Sequence, residues 1–278
     1  TQQWRLNGAI TNADAQDRWM LTFPVSYPAD GTTMTTLRKS AANIRLGEYI
    51  ADATAESIAH YGLDTPRIVI RLHQAAGTIG AVGTTGSYAT TDYPEATITL
   101  VIGEQENDLV DYVLYDGGIY RCSTLLLRGV MNADWHETIT RYPVLTALGN
   151  LASLSRETAD GVDTWVITRT EQVAENNELV TDDEGNQVYD ITLTKNGESA
   201  DYTAFSAAYN QLMMVTMSGR LPDNWTATDA PHTVWTFTDI DGTVHTVALI
   251  RYDAMHDAVA VDGVALFYLI QGGFSLGI

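Results

Sequence analysis

Short stretches in which apolar and polar residues alternate recur along the whole chain. Most are rich in β-branched or aromatic side chains and end at Gly, Pro, Asn or Asp, a pattern that predicts strands. The predicted strands are residues 4–10, 19–23, 67–72, 96–102, 111–115, 119–122, 165–170, 189–194, 232–237, 244–250, 258–261 and 264–269.

Two other segments carry apolar residues at the spacing of an amphipathic helix. Each follows an Ala-Asp pair, and the two aspartates, Asp30 and Asp201, stand where the N-cap of a helix belongs. The apolar positions are Met34, Leu37, Ala41 and Ile44 in the first segment and Phe205, Ala208, Leu212 and Val215 in the second.

The order of these elements is the same in both halves of the chain: strand, strand, helix, then four strands. Trp in the first strand, Ala-Asp before the helix, Pro before the third strand and Asp-Gly between the last two strands recur in that order. This agreement favours an internal duplication over a coincidence of hairpin signals. The pattern therefore predicts the α+β class, with two similar units that each consist of a mainly antiparallel sheet and a covering helix. The landmarks are Trp4, Asp30, Pro66 and Asp116 in the first half and Trp165, Asp201, Pro231 and Asp262 in the second.

This interpretation divides the chain into a first unit at residues 1–128, a connector at 129–160 and a second unit at 161–278. A short helix is expected in the connector from about Pro143, because apolar residues follow it at helical spacing. Residues 75–92 are rich in Gly, Thr and Ala, and residues 173–187 are strongly acidic; both are expected to be hairpin loops. The apolar connector positions are Val144, Leu145, Leu148, Leu151 and Leu154.

Composition restricts the classes of protein that the chain can represent. With 278 residues, of which 45% are hydrophobic and 18% charged, it is not intrinsically disordered. Its 35 acidic and 15 basic residues give a formal charge of -20, which disfavours nucleic acid and anionic membrane surfaces as partners. The single cysteine, Cys122, excludes an intrachain disulfide framework and a multi-cysteine zinc site.

Membrane attachment is expected only through a segment outside this sequence. The longest mostly apolar run, residues 258–270, contains Asp262 and is shorter than the about 20 residues that a membrane-spanning helix needs. The chain begins at Thr1 without a methionine, a basic region or an apolar core typical of a signal peptide. We therefore expect a processed product that has lost an export signal or an anchor.

One segment carries a family resemblance. Residues 61–70 read Tyr-Gly-Leu-Asp-Thr-Pro-Arg-Ile-Val-Ile, which resembles the signature of the uncharacterised DUF4340 family. The likeness is clearest over residues 19–125, where it continues through Gly103, residues 112–115 and residues 118–120. In structural terms, Gly62 can end a helix in a left-handed conformation, and Pro66 prevents the helix from continuing.

The resemblance implies an extracytoplasmic bacterial protein that an N-terminal helix or lipid anchors to the membrane. Members of this family are often encoded beside components of ABC-type transporters, so transporter membrane subunits or cell-envelope proteins are the partners that the resemblance implies. It implies no catalytic residues, because none is established for the family. The function that we expect is therefore that of a non-enzymatic interaction or accessory component of such a transport system.

The residue types that carry chemistry form no recognisable catalytic or metal-binding motif. None of the six histidines belongs to an HxH or HExxH pattern, although His232 and His245 are predicted on neighbouring strands, close to Asp253 and His256. No cofactor, metal site or catalytic residue is predicted. A hydrolase that uses two carboxylates stays an alternative that requires two convergent carboxyl groups within about 10 Å.

The aromatic residues suggest a second function. Tyr and Trp, with 14 and 6 residues, outnumber the 5 Phe, and their rings are the usual platforms for sugars and flat ligands. Trp135, His136 and Tyr142 cluster in the connector, and a cleft between repeats is a natural place for a ligand. The alternative function is therefore a carbohydrate or small-solute binding module that uses these three residues.

Overall fold

The structure is a computed structural model that describes residues 5–8, 19–74, 76–82, 88–174, 179–182 and 184–277. Among these residues, no helix combines the length and the hydropathy that a membrane crossing requires. The helices are α1 (Gly31–Ala42), α2 (Ala55–His60), α3 (Thr124–Met131), α4 (Trp135–Thr138) and α5 (Tyr202–Met213). The strands are β1 (Arg5–Gly8), β2 (Trp19–Phe23), β3 (Tyr27–Pro28), β4 (Leu46–Asp52), β5 (Ile68–Gln74), β6 (Gly77–Val82), β7 (Tyr88–Tyr93), β8 (Ala96–Asn107), β9 (Val110–Tyr115), β10 (Gly118–Ser123), β11 (Leu151–Thr158), β12 (Gly161–Glu171), β13 (Tyr189–Lys195), β14 (Glu198–Ala200), β15 (Gly219–Arg220), β16 (Thr233–Asp239), β17 (Val244–Arg251), β18 (His256–Val261) and β19 (Val264–Ile270).

The described residues form two compact units, and both are discontinuous in sequence. The inserted unit is Gly31–Thr138 together with Trp19, whereas the flanking unit combines Met20–Asp30 with Ile139–Ile278 and includes residues 5–8. Residues 129–138, the first part of the predicted connector, belong to the inserted unit, and residues 139–160 belong to the flanking unit.

The inserted unit is built on a five-stranded antiparallel sheet in the order β4-β10-β9-β8-β5. One face of this sheet carries the core, where α3 contributes Leu127 and Val130. Leu37 and Ala41 of α1 pack against the same core, so the helical spacing correctly predicted the buried side of α1. The sheet contributes Ile70, Leu100, Ile102, Val113 and Cys122 to this core.

A long hairpin extends from the same sheet. Strand β5 pairs with β8 as far as Gln74 and Ala96, and β6 then pairs with β7 from Gly77 and Tyr93. The two ladders keep one register, so they are successive parts of a single hairpin. The predicted hairpin at residues 75–92 thus contains strands β6 and β7, while residues 75 and 83–87 lie outside the described residues.

The flanking unit contains a nine-stranded antiparallel sheet in the order β14-β13-β12-β11-β16-β17-β18-β19-β15, and β1, β2 and β3 form a separate three-stranded sheet. Helix α5 covers one face of the large sheet through its buried residues Phe205, Tyr209 and Leu212. Asp201 caps this helix, because its carboxylate accepts hydrogen bonds from the backbone N–H groups of the next turn. The sheet residues Trp165, Trp235 and Phe237 complete this aromatic core.

The predicted fold class is wrong. The chain is sheet-rich rather than an α+β protein made of two strand-strand-helix units. The strands before α1, β1 to β3, form a small sheet of their own. In contrast, β11 to β14, which precede α5, belong to the same sheet as β15 to β19, which follow it. Alternation and turn residues specify local strands, but they do not specify which strands share a sheet, and the predicted duplication failed at that step.

The helix predicted from about Pro143 is also wrong. The segment contains a single 3-10 turn at Leu148–Asn150, after which Leu151 begins β11. Leu151 and Leu154 are fully buried, and the register of β11 against β16 shifts between Leu151 and Ser153. The spacing that resembled a helical stripe therefore comes from a turn followed by an irregular strand.

Candidate functional site

The family-like segment at residues 61–70 forms a helix end that is locked onto the sheet of the inserted unit. Gly62 has φ of 64°, and its N–H donates to the carbonyl oxygen of Ala59 at 3.2 Å. The N–H of Leu63 donates to the carbonyl oxygen of Ile58 at 2.9 Å. These two bonds define a Schellman motif at the end of α2. The prediction that Gly62 ends a helix in a left-handed conformation is confirmed.

The same segment contacts β8 closely. The N–H of Glu104 donates to the carbonyl oxygen of Tyr61 at 3.0 Å, and a Cβ on Gly103 would lie only 2.3 Å from that oxygen. Arg67 then donates from Nε to the carbonyl oxygen of Gly103 at 2.6 Å and forms an ion pair with buried Asp111. The signature therefore has a structural role, in which it fixes the position of α2 on the sheet.

A shallow pocket lies beside α2. It has a volume of about 350 Å³ and is open to solvent. Ala51, near the end of β4, stands at one side, and Glu56 and His60 come from successive turns of α2. The capping box of Thr54 and Ser57 fixes the start of the helix at this pocket. The lining residues are Ala51, Thr54, Glu56, Ser57, His60 and Tyr61.

Strand β4, which leads to this pocket, lies at the edge of the five-stranded sheet and carries exposed polar and aromatic side chains. Tyr49 is 50% exposed, contacts the ring of Tyr120 with centroids 5.6 Å apart and donates from its hydroxyl to Asp52 at 2.7 Å. Glu48 forms an ion pair with Arg121 of β10, and Arg121 also pairs with Glu106.

A second candidate site lies on the flanking unit, and we call it the aromatic surface: Trp225, Tyr252, Tyr268 and His256. The rings of Tyr252 and Tyr268 are stacked with centroids 5.2 Å apart, Trp225 contacts Tyr252 at 6.2 Å, and His256 contacts Tyr268 at 4.9 Å. All four side chains are partly exposed. Trp225, Tyr252 and Tyr268 pack over a small core that consists of Leu221, Ile250, Ala258 and Ala260.

Exposed aliphatic residues extend the aromatic surface. Met255 and Ile270 are 62% and 56% exposed, and the N–H of Gln271 donates to the carbonyl oxygen of Met255 at 2.9 Å. At the border, the carboxylate of Asp253 accepts from the N–H groups of Met255 and His256. These N–H groups, together with the His256 side chain, lower the pKa of Asp253 below its usual range, so this carboxylate is ionised at neutral pH.

The residues predicted as a binding site are found in two different units. Trp135 and His136 are buried in the inserted unit, where their rings stack with centroids 3.4 Å apart and His136 Nδ1 lies 2.9 Å from Asp134. Tyr142 belongs to the flanking unit and is 41% exposed. The proposal of a shared binding site for these three residues stays a prediction.

Each histidine of the flanking unit is close to its own carboxylate. His232 Nε2 lies 3.2 Å from Asp257, while His245 pairs with Asp262 and His256 with Asp253. Within the described ranges, no group of three or more His, Cys, Asp or Glu residues is arranged to hold a metal ion.

The aromatic surface was missed in the sequence because its members come from a loop, a strand end and a strand. The alternation along β19 was a usable signal. Phe267 and Leu269 are buried, whereas Tyr268 and Ile270, on the other face of the strand, are more exposed. Strand β4 was missed because Gly47 and Glu48 interrupt its apolar residues.

These observations define a sheet-rich protein of two compact units whose candidate sites lie on open strand surfaces. Residues 19–233 match the model of a family described as a domain of unknown function, DUF4340, and the chain belongs to that family. This match confirms the resemblance carried by residues 61–70. No curated protein and no solved structure matches the sequence.

Proposed function

We propose that this chain is a non-enzymatic extracytoplasmic domain that serves as a membrane-anchored interaction or accessory component of an ABC-type transport system. The observation that carries the interaction function is the aromatic surface of the flanking unit. The extracytoplasmic location, the anchor and the transporter association are supported by the family to which the chain belongs.

The composition of the aromatic surface is typical of the centre of a protein–protein interface. Such centres are enriched in Trp, Tyr and Met, and a few rings usually carry most of the binding free energy. Trp225, Tyr252 and Tyr268 are held by one another and by the small core beneath them, so little side-chain entropy is lost on binding. The partner that fits is a protein that presents an apolar anchor to these rings.

The test is co-purification from native membranes with the native N-terminus intact. Transporter membrane subunits are expected to co-purify with the wild-type protein and to be lost with Trp225→Ala or Tyr268→Ala. Tyr189→Ala is the matched control, because Tyr189 is an exposed tyrosine on β13, outside the aromatic surface. Recovery of no protein above background, or equal recovery with all three variants, would contradict the proposal.

The alternative, a carbohydrate or small-solute binding module, is favoured by the polar groups beside the same rings. The amide of Gln271 donates to the carbonyl oxygen of Asp253, and the carboxylate of Asp253 pairs with His256; stacked rings bordered by such groups suit a sugar. A glycan array separates the two functions. Binding of a sugar that Tyr268→Ala abolishes, without co-purified proteins, favours the alternative, and a silent array favours the protein partner.

A further inference from the structure

The inserted unit has a second surface, independent of the aromatic surface, at the open edge formed by β4. This strand pairs with β10 on one side and ends the order of the five-stranded sheet. It is seven residues long, whereas the strands that end the nine-stranded sheet, β14 and β15, have three and two residues. Natural sheets usually shorten their edges in this way, because a long edge presents unpaired N–H and C=O groups to other chains.

The charge of this edge specifies what it can accept. Glu48 and Asp52 are exposed on β4, and Glu56 is exposed at the start of α2 just beyond it. Arg121 of the neighbouring β10 pairs with Glu48 and also with a second carboxylate, that of Glu106, so the local charge stays negative. The opposite edge, β5, carries Arg71 and His73 instead. The chain as a whole has a formal charge of -20, so both its long-range field and the local charge of β4 attract a basic partner.

The open pocket adds a specific place for one side chain. Ala51 of β4 lines it, so a side chain of a strand added along β4 is expected to reach it. Glu56 and Tyr61 both line it, and a carboxylate beside an aromatic ring is the combination that binds an ammonium or guanidinium group by charge and by cation–π contact. The ring of Tyr61 is held in place by His60 and Tyr112, whose ring centroids lie 4.7 Å and 4.5 Å from its own. Its volume of about 350 Å³ accommodates one long side chain with its water.

Tyr49 completes the surface. Its ring is half exposed and is held by Tyr120 and by the hydrogen bond to Asp52, so it offers a fixed apolar face beside the acidic groups. The aliphatic part of a Lys or Arg side chain packs well on such a ring.

We propose that β4 accepts an extended basic segment of a partner protein as an added strand, with one Arg or Lys side chain in the pocket beside α2. Main-chain hydrogen bonds supply affinity in this mode of recognition, and alternate side chains supply specificity. The proposal does not depend on the aromatic surface or on its partner.

The test uses a labelled seven-residue peptide of alternating Arg and Val and measures its binding to the 278-residue protein by fluorescence anisotropy at physiological salt. A Glu-Val peptide of the same length is expected not to bind. An Arg-Val peptide N-methylated at alternate residues keeps the charge but cannot form the ladder, and it is expected to bind at least about tenfold more weakly. Equal binding of the methylated peptide would overturn the proposal, because the attraction would then be charge alone.

Variants locate the site. The double variant Glu48→Gln/Glu56→Gln is expected to weaken binding of the Arg-Val peptide about tenfold. The control is Glu157→Gln/Glu198→Gln, which removes the same charge from exposed positions of the flanking unit and should weaken binding less than twofold. Hydrogen exchange should slow at residues 46–52 when the peptide binds. The proposal would be overturned if the two double variants weakened binding equally. It would also be overturned if exchange at residues 46–52 were already slow without peptide because the protein associates with itself.

Discussion

The guanidinium of Arg67 donates to the carboxylate of Asp111, which is completely buried in the inserted unit. Arg67 belongs to the family-like segment, and Asp111 is the second residue of β9, paired with Cys122 of β10. The other carboxylate oxygen, Oδ2, has no hydrogen-bond partner among the described residues. Arg67 is therefore the counter-charge of the buried Asp111 carboxylate.

Replacing Arg67 is expected to destabilise the protein strongly. Arg67→Ala leaves the Asp111 carboxylate buried without its counter-charge, which should lower the free energy of unfolding by about 3 kcal/mol in urea titrations. The double variant Arg67→Ala/Asp111→Ala should lose less than the sum of the two single variants. Arg71→Ala, at an exposed position on the same strand, is the control and should change stability by less than about 0.5 kcal/mol. A loss for Arg67→Ala no larger than that of the control would contradict this account.

Gly62 is expected to resist substitution. Gly62→Ala places a Cβ at a φ of 64° and 2.4 Å from Cγ of Glu104, so the backbone and a side chain must both adjust. We expect a loss of about 1–2 kcal/mol in thermal or chemical unfolding. Gly31→Ala is the control, because nothing lies within 4 Å of its added Cβ and α1 begins there. Equal stability of the two variants would show that the helix end is not fixed as described.

The buried side of α5 gives a third prediction. Leu212→Asp places a charge at a fully buried position and should cost about 3–5 kcal/mol, whereas Gln211→Asp, exposed on the same helix, should cost little. Leu37→Asp should also be costly in α1, and Lys39→Asp should not. Far-ultraviolet circular dichroism with urea measures all four, and a small loss for Leu212→Asp would contradict the packing of α5.

Because the thiol of Cys122 is buried, we expect the protein to lose stability at alkaline pH. Burial and the nearby charge of Asp111 raise the pKa of this thiol to about 11, above its ordinary value of 9.0. Because the folded form holds the proton more tightly, this contribution to stability is complete below the unfolded pKa and is lost as pH rises towards 11. Between pH 8.5 and 10 the wild type should lose roughly 1 kcal/mol more than Cys122→Ala. Parallel pH profiles of the two proteins would exclude Cys122 as the cause.

Local structure was largely predictable from the sequence. The helices after Asp30 and Asp201 begin where their apolar spacing indicated, and the turns at Asp116-Gly117 and Asp262-Gly263 adopt the positive φ values that such pairs favour. These features depend on a few neighbouring residues, so a single sequence contains the information that specifies them.

Sheet membership was not predictable in the same way. A run of four antiparallel strands occurs after α1 and again after α5: β5-β8-β9-β10 in one sheet, apart from the β6–β7 extension, and β16-β17-β18-β19 in the other. Strand β4 and helix α2 precede the first run, and β15 precedes the second. That local likeness produced the recurrent landmarks. The pairing of β11 with β16 depends on residues that are far apart in sequence. The same is true of whether the strands before α1 join a larger sheet. Turn residues specify neither outcome.

The aromatic surface was not predicted from the sequence, and the shared site of Trp135, His136 and Tyr142 stays a prediction. Trp225, Tyr252 and Tyr268 meet only because the nine-stranded sheet places β19 beside β15 and the loop after it. Trp135 and His136 were noticed because they are adjacent in sequence, but both are buried against each other. Adjacency along the chain is a poor guide to a surface that several strands build together.

The discontinuity of the flanking unit has a consequence for synthesis of the protein. Ala29 pairs with Ile139, and the N–H of Thr140 donates to the carbonyl oxygen of Pro28, so the end of the first segment forms these bonds only with residues made after the inserted unit. At roughly 10 residues per second on a ribosome, Ala29 waits on the order of ten seconds for Ile139, while the residues of the inserted unit are made in between. During that interval β1, β2 and β3 can pair only with one another, and the inserted unit is the part of the chain that can fold first.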